Sequence, residues 1–440
     1  MLSRMERGKQ LRPGRVGNMR LNRRALLQAA ALTASPILNV GQLAAAPGQS
    51  RGASQAWVDA ARSQIPSVDR PYFQTAGIAP SPKVVIEEVV DKLRFQNEGP
   101  VAPDIATPMS AIEPSLRARL AGAFGATDDE VALTHSTSEG INIASWAIDW
   151  QPDDEVIITN QEHPANLIPW YNLRDRLGIV IRWVDFSVGT DLLDVVAEQL
   201  GPRTRMASIC HVSRNNGRTF SASTAAELAS MLHARGALLH LDGAQGPGCV
   251  PVDFEQLGAD YYSSCGHKWL LGPKGTGMLL ARAERLLETR LTWTWSHSHT
   301  SMDGQGNYEL IPAARRFEFG TRALATFAGF DRAVRWFEEL GMQRVLDRID
   351  ELVEYAIEAT RRRDGFGVSS PIAPGARSGV FVLRLPRGLT GWQVYEALQL
   401  QGIYGSPVDA ERDFRVAIHF FNTRAEIDEL LNVIDTIVPA

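Results

Sequence analysis

The sequence predicts an α/β architecture: a mainly parallel, seven-stranded sheet with helices on both faces in a large domain, then a small α+β C-terminal domain. Three observations predict it. The chain has 440 residues, too many for one compact core and enough for a large α/β domain plus a smaller one. From residue 115 onward, short apolar runs alternate with helical patterns, and strand–helix alternation at this spacing implies a parallel sheet. From about residue 330 the pattern changes to a long helix followed by strands and helices of mixed order.

The elements follow in chain order. Residues 1–46 read as an export signal. Arg23-Arg24 is followed by Leu26 and Leu27, an Ala/Leu-rich run continues to Val40, and Ala44, Ala45 and Ala46 form a small-residue end. The paired arginines resemble a twin-arginine (Tat) signal. Gln28 stands where lysine is common, Pro47 follows the expected cleavage point, and Met19 is an alternative start. The expected location is periplasmic, reached in folded form through the twin-arginine export machinery. Residues 47–110 are rich in Pro, Ser and Gly and read as irregular apart from an amphipathic helix near 84–97; this segment is expected to pack on the small domain. Residues 111–330 are the expected large domain. Its strands are read at 131–134, 155–159, 180–184, 206–211, 237–242, 260–264 and 275–280, and its helices at 140–150, 166–176, 192–200 and 224–234. Residues 331–440 are the expected small domain, with a helix at 346–363, strands at 380–385 and 414–420, a helix at 392–401 and a closing helix from Arg424.

Bulk properties exclude several classes. A net charge of −5 argues against a general nucleic-acid binder. Three cysteines, Cys210, Cys249 and Cys265, make neither a disulfide framework nor a CxxC pair. No stretch approaches an uncharged apolar membrane span. The Gly/Pro-rich run GPKGTG at 272–277 lacks the residue order of a nucleotide-binding P-loop.

Ligands on parallel sheets bind beyond the carboxyl ends of the strands, and four strand ends carry unusual residues. After 131–134 come Ser136, Thr137 and Ser138, opening a helix; hydroxyls and N–H groups there bind phosphate, or merely cap the helix. After 155–159 comes Glu162-His163-Pro164-Ala165-Asn166, where the flat face of His163 is placed to cover a ring. After 237–241 comes Asp242-Gly243-Ala244-Gln245. A carboxylate ending a buried apolar strand needs a partner, and a protonated pyridine nitrogen is one, as is a cap or salt bridge. After 260–264 comes Cys265-Gly266-His267-Lys268. Desolvation in such a loop turns a lysine into a nucleophilic amine, although a single lysine more often snorkels to solvent. Together, in this order, they describe a pyridoxal phosphate (PLP) site, with Lys268 holding the cofactor as an imine and His267 helping to anchor its phosphate.

With these motifs the chain resembles the class V aminotransferase family of fold-type I PLP-dependent enzymes, over roughly residues 70–440. The family includes cysteine desulfurases, kynureninase and isopenicillin N epimerase-like proteins. The resemblance implies that Thr137 and Ser138 bind the phosphate, with Ser264, Cys265 and His267 around it. It implies that His163 stacks on the cofactor ring, Asp242 pairs with the pyridinium and Gln245 contacts the ring hydroxyl. Thr321, in FGTRA, resembles a residue that reaches the phosphate of a neighbouring subunit, which implies a homodimer. Arg415, in FRVAIHFFNT, resembles the arginine that grips the substrate α-carboxylate, a task suited to a bidentate guanidinium.

Three departures stand out. Cys265 replaces a frequent Ser or Thr. Arg214 stands where desulfurases tend to carry Asn, so it either reads a second substrate carboxylate or turns away. The loop 404–409, where a desulfurase carries its nucleophilic cysteine, has none, which argues against a persulfide mechanism. His297, in the segment 293–299, either lines the substrate pocket as a second acid/base or belongs to a rim loop; with His299 it is a weak candidate for zinc, and no metal site is expected.

The expectation is a PLP-dependent enzyme acting at the α-carbon of an amino acid or amino-acid-containing metabolite, with transamination first. An epimerase or a carbon–sulfur lyase follows, then periplasmic tailoring of a peptide siderophore, then a non-catalytic binder on the same fold.

Overall fold

The large sheet has seven strands: β1 (Val131–Thr134), β2 (Glu155–Thr159), β3 (Val180–Val184), β4 (Thr204–Cys210), β5 (Leu238–Asp242), β6 (Tyr261–Cys265) and β7 (Gly277–Ala281). The computed structural model describes residues 51–66, 69–408 and 412–438; the export signal read in residues 1–46 lies outside them. Across the sheet the order is β1-β7-β6-β5-β4-β2-β3. Strands β3, β2, β4, β5 and β6 pair in parallel, while β7 inserts antiparallel between β6 and β1.

Burial explains the strand sequences. In β2, EVIIT, every residue is buried, and Val156, Ile157 and Ile158 expose nothing. A parallel sheet covered by helices on both faces requires such continuous apolar runs, not alternation. β3 lies at the edge and reads VIRWV, of which only Val184 is buried. The covering helices begin at side-chain caps: Asp191 accepts from the backbone of Leu193 and Asp194, and Ser221 from Thr224. These caps satisfy N–H groups that the first helical turn leaves without partners.

The second sheet follows the hairpin β8 (His299–Met302) and β9 (Tyr308–Leu310). It consists of β10 (Gly367–Val368), β11 (Val380–Arg384), β12 (Ser406–Pro407) and β13 (Asp413–Ala417), in the order β10-β11-β13-β12 and fully antiparallel. The segment around Phe73 joins it from the N-terminal side. Phe73 N donates to Tyr404 O at 2.8 Å, and Ala417 N donates to Phe73 O at 2.8 Å.

Two expectations about organisation change. The described part of the segment 47–110, from residue 51, is largely helical, with Arg51–Arg62, Lys83–Asn97 and Pro103–Ser110. Proline misleads there: Pro103 opens its helix, where its missing N–H costs nothing. Only part of the segment packs beside the second sheet, through Ile65 and Phe73; Lys83–Asn97 packs on the helix Leu324–Leu340. The boundary expected at 330/331 falls inside that same helix. Its Phe327, Phe330 and Val334 enter the core under the large sheet, and its Trp336 and Phe337 enter the core of the second sheet. Both sheets therefore belong to one compact unit beginning at Gly52.

Candidate active site

The carboxyl ends of β1, β2, β4, β5 and β6 surround a cavity of about 330 Å³. Its walls include Ser136, Thr137, Ser138, His163, Arg214, Asp242, Gln245, Cys265, His267, Lys268 and Arg415, closed by Ala76 and Gly77. Four neighbouring parallel strands and β1 thus deliver the residues, as sheet topology requires. A larger cleft of about 640 Å³ beside Thr219, Val250 and Asp347 holds no such set, and its Arg377 is already paired with Asp350 and Glu354.

At one end, Ser136 caps the helix Thr137–Ser145 by accepting from Glu139 N. Thr137 Oγ1 is buried with no hydrogen-bond partner of normal geometry; only the Cys265 thiol lies near it. The His267 Nδ1 is likewise buried and unpartnered. Burial, with Lys268 and Lys274 adding, lowers the His267 pKa to about 4. Buried polar atoms are normally satisfied, so two orphans lining one cavity, Thr137 at a helix N-terminus and His267 on the loop after β6, fit a phosphate. Burial pushes the Cys265 thiol up, so it is present as a small neutral side chain.

The floor is Asp242, the last residue of β5, which is buried and accepts from Ala244 N at 2.9 Å. Burial raises its pKa, and the charge of Lys268 pulls the other way. The loop that follows is tight. A Cβ on Gly243 would lie 2.1 Å from the Tyr262 ring, so only glycine lets the chain turn directly after the carboxylate. Gln245 is clamped, donating to Ala76 O at 2.8 Å and accepting from Trp269 Nε1 at 2.7 Å.

His163 forms the opposite wall. Its Nδ1 accepts from Ala165 N at 3.0 Å, which leaves Nε2 as the protonated nitrogen. Burial first, then the charges of Arg214, Lys268 and Arg415, lowers its pKa to about 4. The ring is therefore neutral at physiological pH, suited to stacking and poor as a base. Its loop is braced by Glu162, a residue that sequence reasoning passed over. Glu162 accepts from Thr159 Oγ1 at 2.6 Å, Asn166 Nδ2 at 2.7 Å and Cys210 N at 2.8 Å. Burial pushes its carboxyl to about 7, with the nearby charge of Asp242 adding. The signal was available: a glutamate and an asparagine four residues apart, just after a wholly buried strand. Ala76 and Gly77 were also missed, because their segment reads as irregular.

Lys268 points into this cavity from the loop after β6 and makes no side-chain hydrogen bond or ion pair among the described residues. Arg415 comes from the second sheet, on β13. Its Nη1 donates to Arg214 O at 3.2 Å, and its Nε is buried without a partner. Burial, then the charge of Arg214, lowers its pKa to about 10, so it stays cationic. Two further candidates lie outside this cavity, one of them Thr321, which the sequence reading assigns to a neighbouring subunit's site. Thr321 is exposed and outside the cavity. His297 is exposed, edge-on to Trp295 at 4.5 Å, just before the hairpin formed by β8 and β9. Trp293, four residues earlier, donates to Phe317 O and packs on Phe319. His297 is not among the residues that line this cavity. Among the described residues no cluster of metal-ligating side chains is present.

A phosphate cradle, a neutral stacking imidazole, a buried carboxylate and an unpaired lysine, all at the ends of a mainly parallel sheet, define a fold-type I PLP-dependent enzyme. The sequence comparison agrees: residues 71–430 match the family described as aminotransferase class-V, and the chain belongs to it. It is 29% identical over 383 residues to a probable cysteine desulfurase of Mycolicibacterium paratuberculosis, covering 82% of this chain and only 54% of that relative. It is 27% identical over 395 residues to an isopenicillin N epimerase of Amycolatopsis lactamdurans, covering 85% and 97% of the two chains. Among solved structures, the cystine C–S lyase C-DES in complex with its product cysteine persulfide superposes with a TM-score of 0.79. That match is 25% identical and covers 84% of this chain and 99% of the other.

Proposed function

We propose that this enzyme moves the α-proton of an α-amino-acid substrate and eliminates a β-substituent, without a cysteine nucleophile. Bound PLP supplies the electron sink that acidifies the α-proton. The observation that carries the reading is the isolation of Lys268. It is the amine in a cavity where the His163 Nδ1 lone pair is spent on Ala165 N and Asp242 lies in the floor. Lys268 Nζ takes the proton from the substrate α-carbon. The bond from the β-carbon to its substituent breaks with the electron pair on the leaving group, and the lysine returns the proton to that group or to the β-carbon. Water then hydrolyses the enamine to the 2-oxo acid and ammonia. Arg415 holds the α-carboxylate and so fixes which bond faces the amine.

No thiol is placed to carry sulfur. Cys210, Cys249 and Cys265 are all buried, and burial pushes each thiol up. This supports elimination over persulfide transfer. The names of the relatives, two lyases and an epimerase, favour those reactions over transamination, the first expectation from sequence. Transamination shares the same proton transfer and carries the class-V name, so it is the second reading. The purified holoenzyme, incubated with β-substituted amino acids and no amino acceptor, is expected to release a 2-oxo acid and ammonia in equal amounts. Conversion of the cofactor to its amine form without ammonia would replace elimination by transamination, and appearance of the opposite enantiomer alone would replace it by epimerisation.

We further propose export and pairing of subunits. Arg23-Arg24 and the apolar run behind them motivate export to the periplasm, where a peptide natural product such as a siderophore is a fitting substrate; exposed Thr321 motivates a homodimer in which it serves the partner's site. A reporter fused to residues 1–50 should reach the periplasm, and the mature protein should weigh as two chains in solution. A cytoplasmic reporter removes the first proposal and a single-chain mass removes the second.

A further inference from the structure

The cavity holds more positive charge than one amino acid needs. Arg415 and Arg214 both line it, and each has a buried Nε with no partner. Neither forms a salt bridge among the described residues, and the charge of Arg214 is felt by Arg415. Two like charges brought together out of water oppose each other unless an anion joins them. The cavity's own carboxylate does not play that part, because Asp242 forms no ion pair with either arginine among the described residues. Both arginines line the same cavity as His163, and Arg415 reaches the backbone of Arg214.

We propose that Arg214 is a second anion site, so that the substrate is an α-amino acid carrying an additional carboxylate. This rests on the amino-acid reading above and narrows it. Arg415 takes the α-carboxylate and Arg214 takes the distal one, each through a planar fork of donors that matches a carboxylate. Arg415 donates to the backbone oxygen of Arg214, which ties the arginine of β13 to the loop that carries the second one. A neutral side chain at the distal position leaves the Arg214 charge desolvated and unpaired, which disfavours that ligand.

The test titrates the visible absorption band of the holoenzyme. The probes are L-aspartate and L-glutamate, their amides asparagine and glutamine, and an α-amino dipeptide whose second carboxylate is at its C-terminus. One dicarboxylate is expected to bind roughly 10- to 100-fold tighter than its neutral isostere, the range of a charged hydrogen-bonded contact. If the dipeptide is the one preferred, the second carboxylate comes from a peptide, and if a free acid is, from a dicarboxylic amino acid. Arg214→Gln should erase the preference for charge, while Arg415→Gln should weaken charged and neutral ligands alike. Equal binding of acids and amides by the wild type overturns the proposal. So does loss of bound cofactor in Arg214→Gln, which would place that side chain on the cofactor. If no amino acid perturbs the band, the amino-acid reading itself fails, and the two failures are distinct.

Discussion

Lys268→Ala is expected to lower turnover by at least about 10⁴-fold while leaving the fold intact, the size expected when the group that moves the proton is removed. The structure gives the reason for both halves. Lys268 Nζ makes no side-chain hydrogen bond or ion pair among the described residues, so its removal orphans nothing. Its backbone stays anchored, because Leu271 N donates to Lys268 O at 3.0 Å and Gly272 N donates to Gly266 O at 2.7 Å. The variant should therefore unfold within a few degrees of the wild type. It should also retain cofactor more weakly, through the Ser136–Ser138 end, His267 and Asp242. Three measurements check this: product formation, melting temperature, and cofactor released per chain on denaturation. Added small amines should restore part of the rate, because they supply a base at the vacated position; a packing role for Lys268 would show no such rescue. Turnover near the wild-type level would end the catalytic assignment.

Much of this site was legible because chemistry on a parallel sheet is written at strand ends. A run such as EVIIT needs an unbroken apolar centre, here Val156, Ile157 and Ile158, when helices cover both faces, so the polar residues after it stand out. That is how His163, Asp242 and Lys268 were readable from one sequence. Glu162 was overlooked for the converse reason: a glutamate before a histidine reads as loop, and only three converging hydrogen bonds reveal a buried brace. The direction of β7 was also hidden, since an antiparallel strand between β6 and β1 has the same apolar run, GMLLA, as a parallel one.

Organisation above the strand was harder to read. A boundary was placed near residue 330 where the pattern changes, yet Leu324–Leu340 is one continuous helix with apolar side chains feeding two cores. Periodicity tells which face of a helix is buried, not how many cores it serves. The position of His297 depended on where a loop turns after Trp293, which no local pattern encodes. Reaction type lay further out still. Elimination, epimerisation and transamination all begin with the same proton leaving the α-carbon, and the residues that perform that step are common to all three.

Asp242→Asn tests the floor of the site and should separate stability from catalysis by giving them opposite signs. In the protein alone, Asp242 is a buried carboxylate with one backbone hydrogen bond, from Ala244 N, and burial disfavours its charge. Asparagine keeps the acceptor oxygen and drops the charge, so the cofactor-free variant should be as stable as the wild type or more so. Asp242 is the residue that would pair its carboxylate with the ring nitrogen of PLP and favour its protonated form. Without it, the gain in melting temperature on adding PLP should shrink, and kcat should fall about 10³-fold, in line with the roughly 3–5 kcal/mol at stake when one partner of a buried ion pair is lost. Calorimetry on the cofactor-free and loaded proteins, together with kcat, reads all three quantities. A cofactor-free variant that melts many degrees lower, with PLP still stabilising it fully, would make Asp242 a structural cap of its loop; Asp242→Glu would then recover stability without recovering rate.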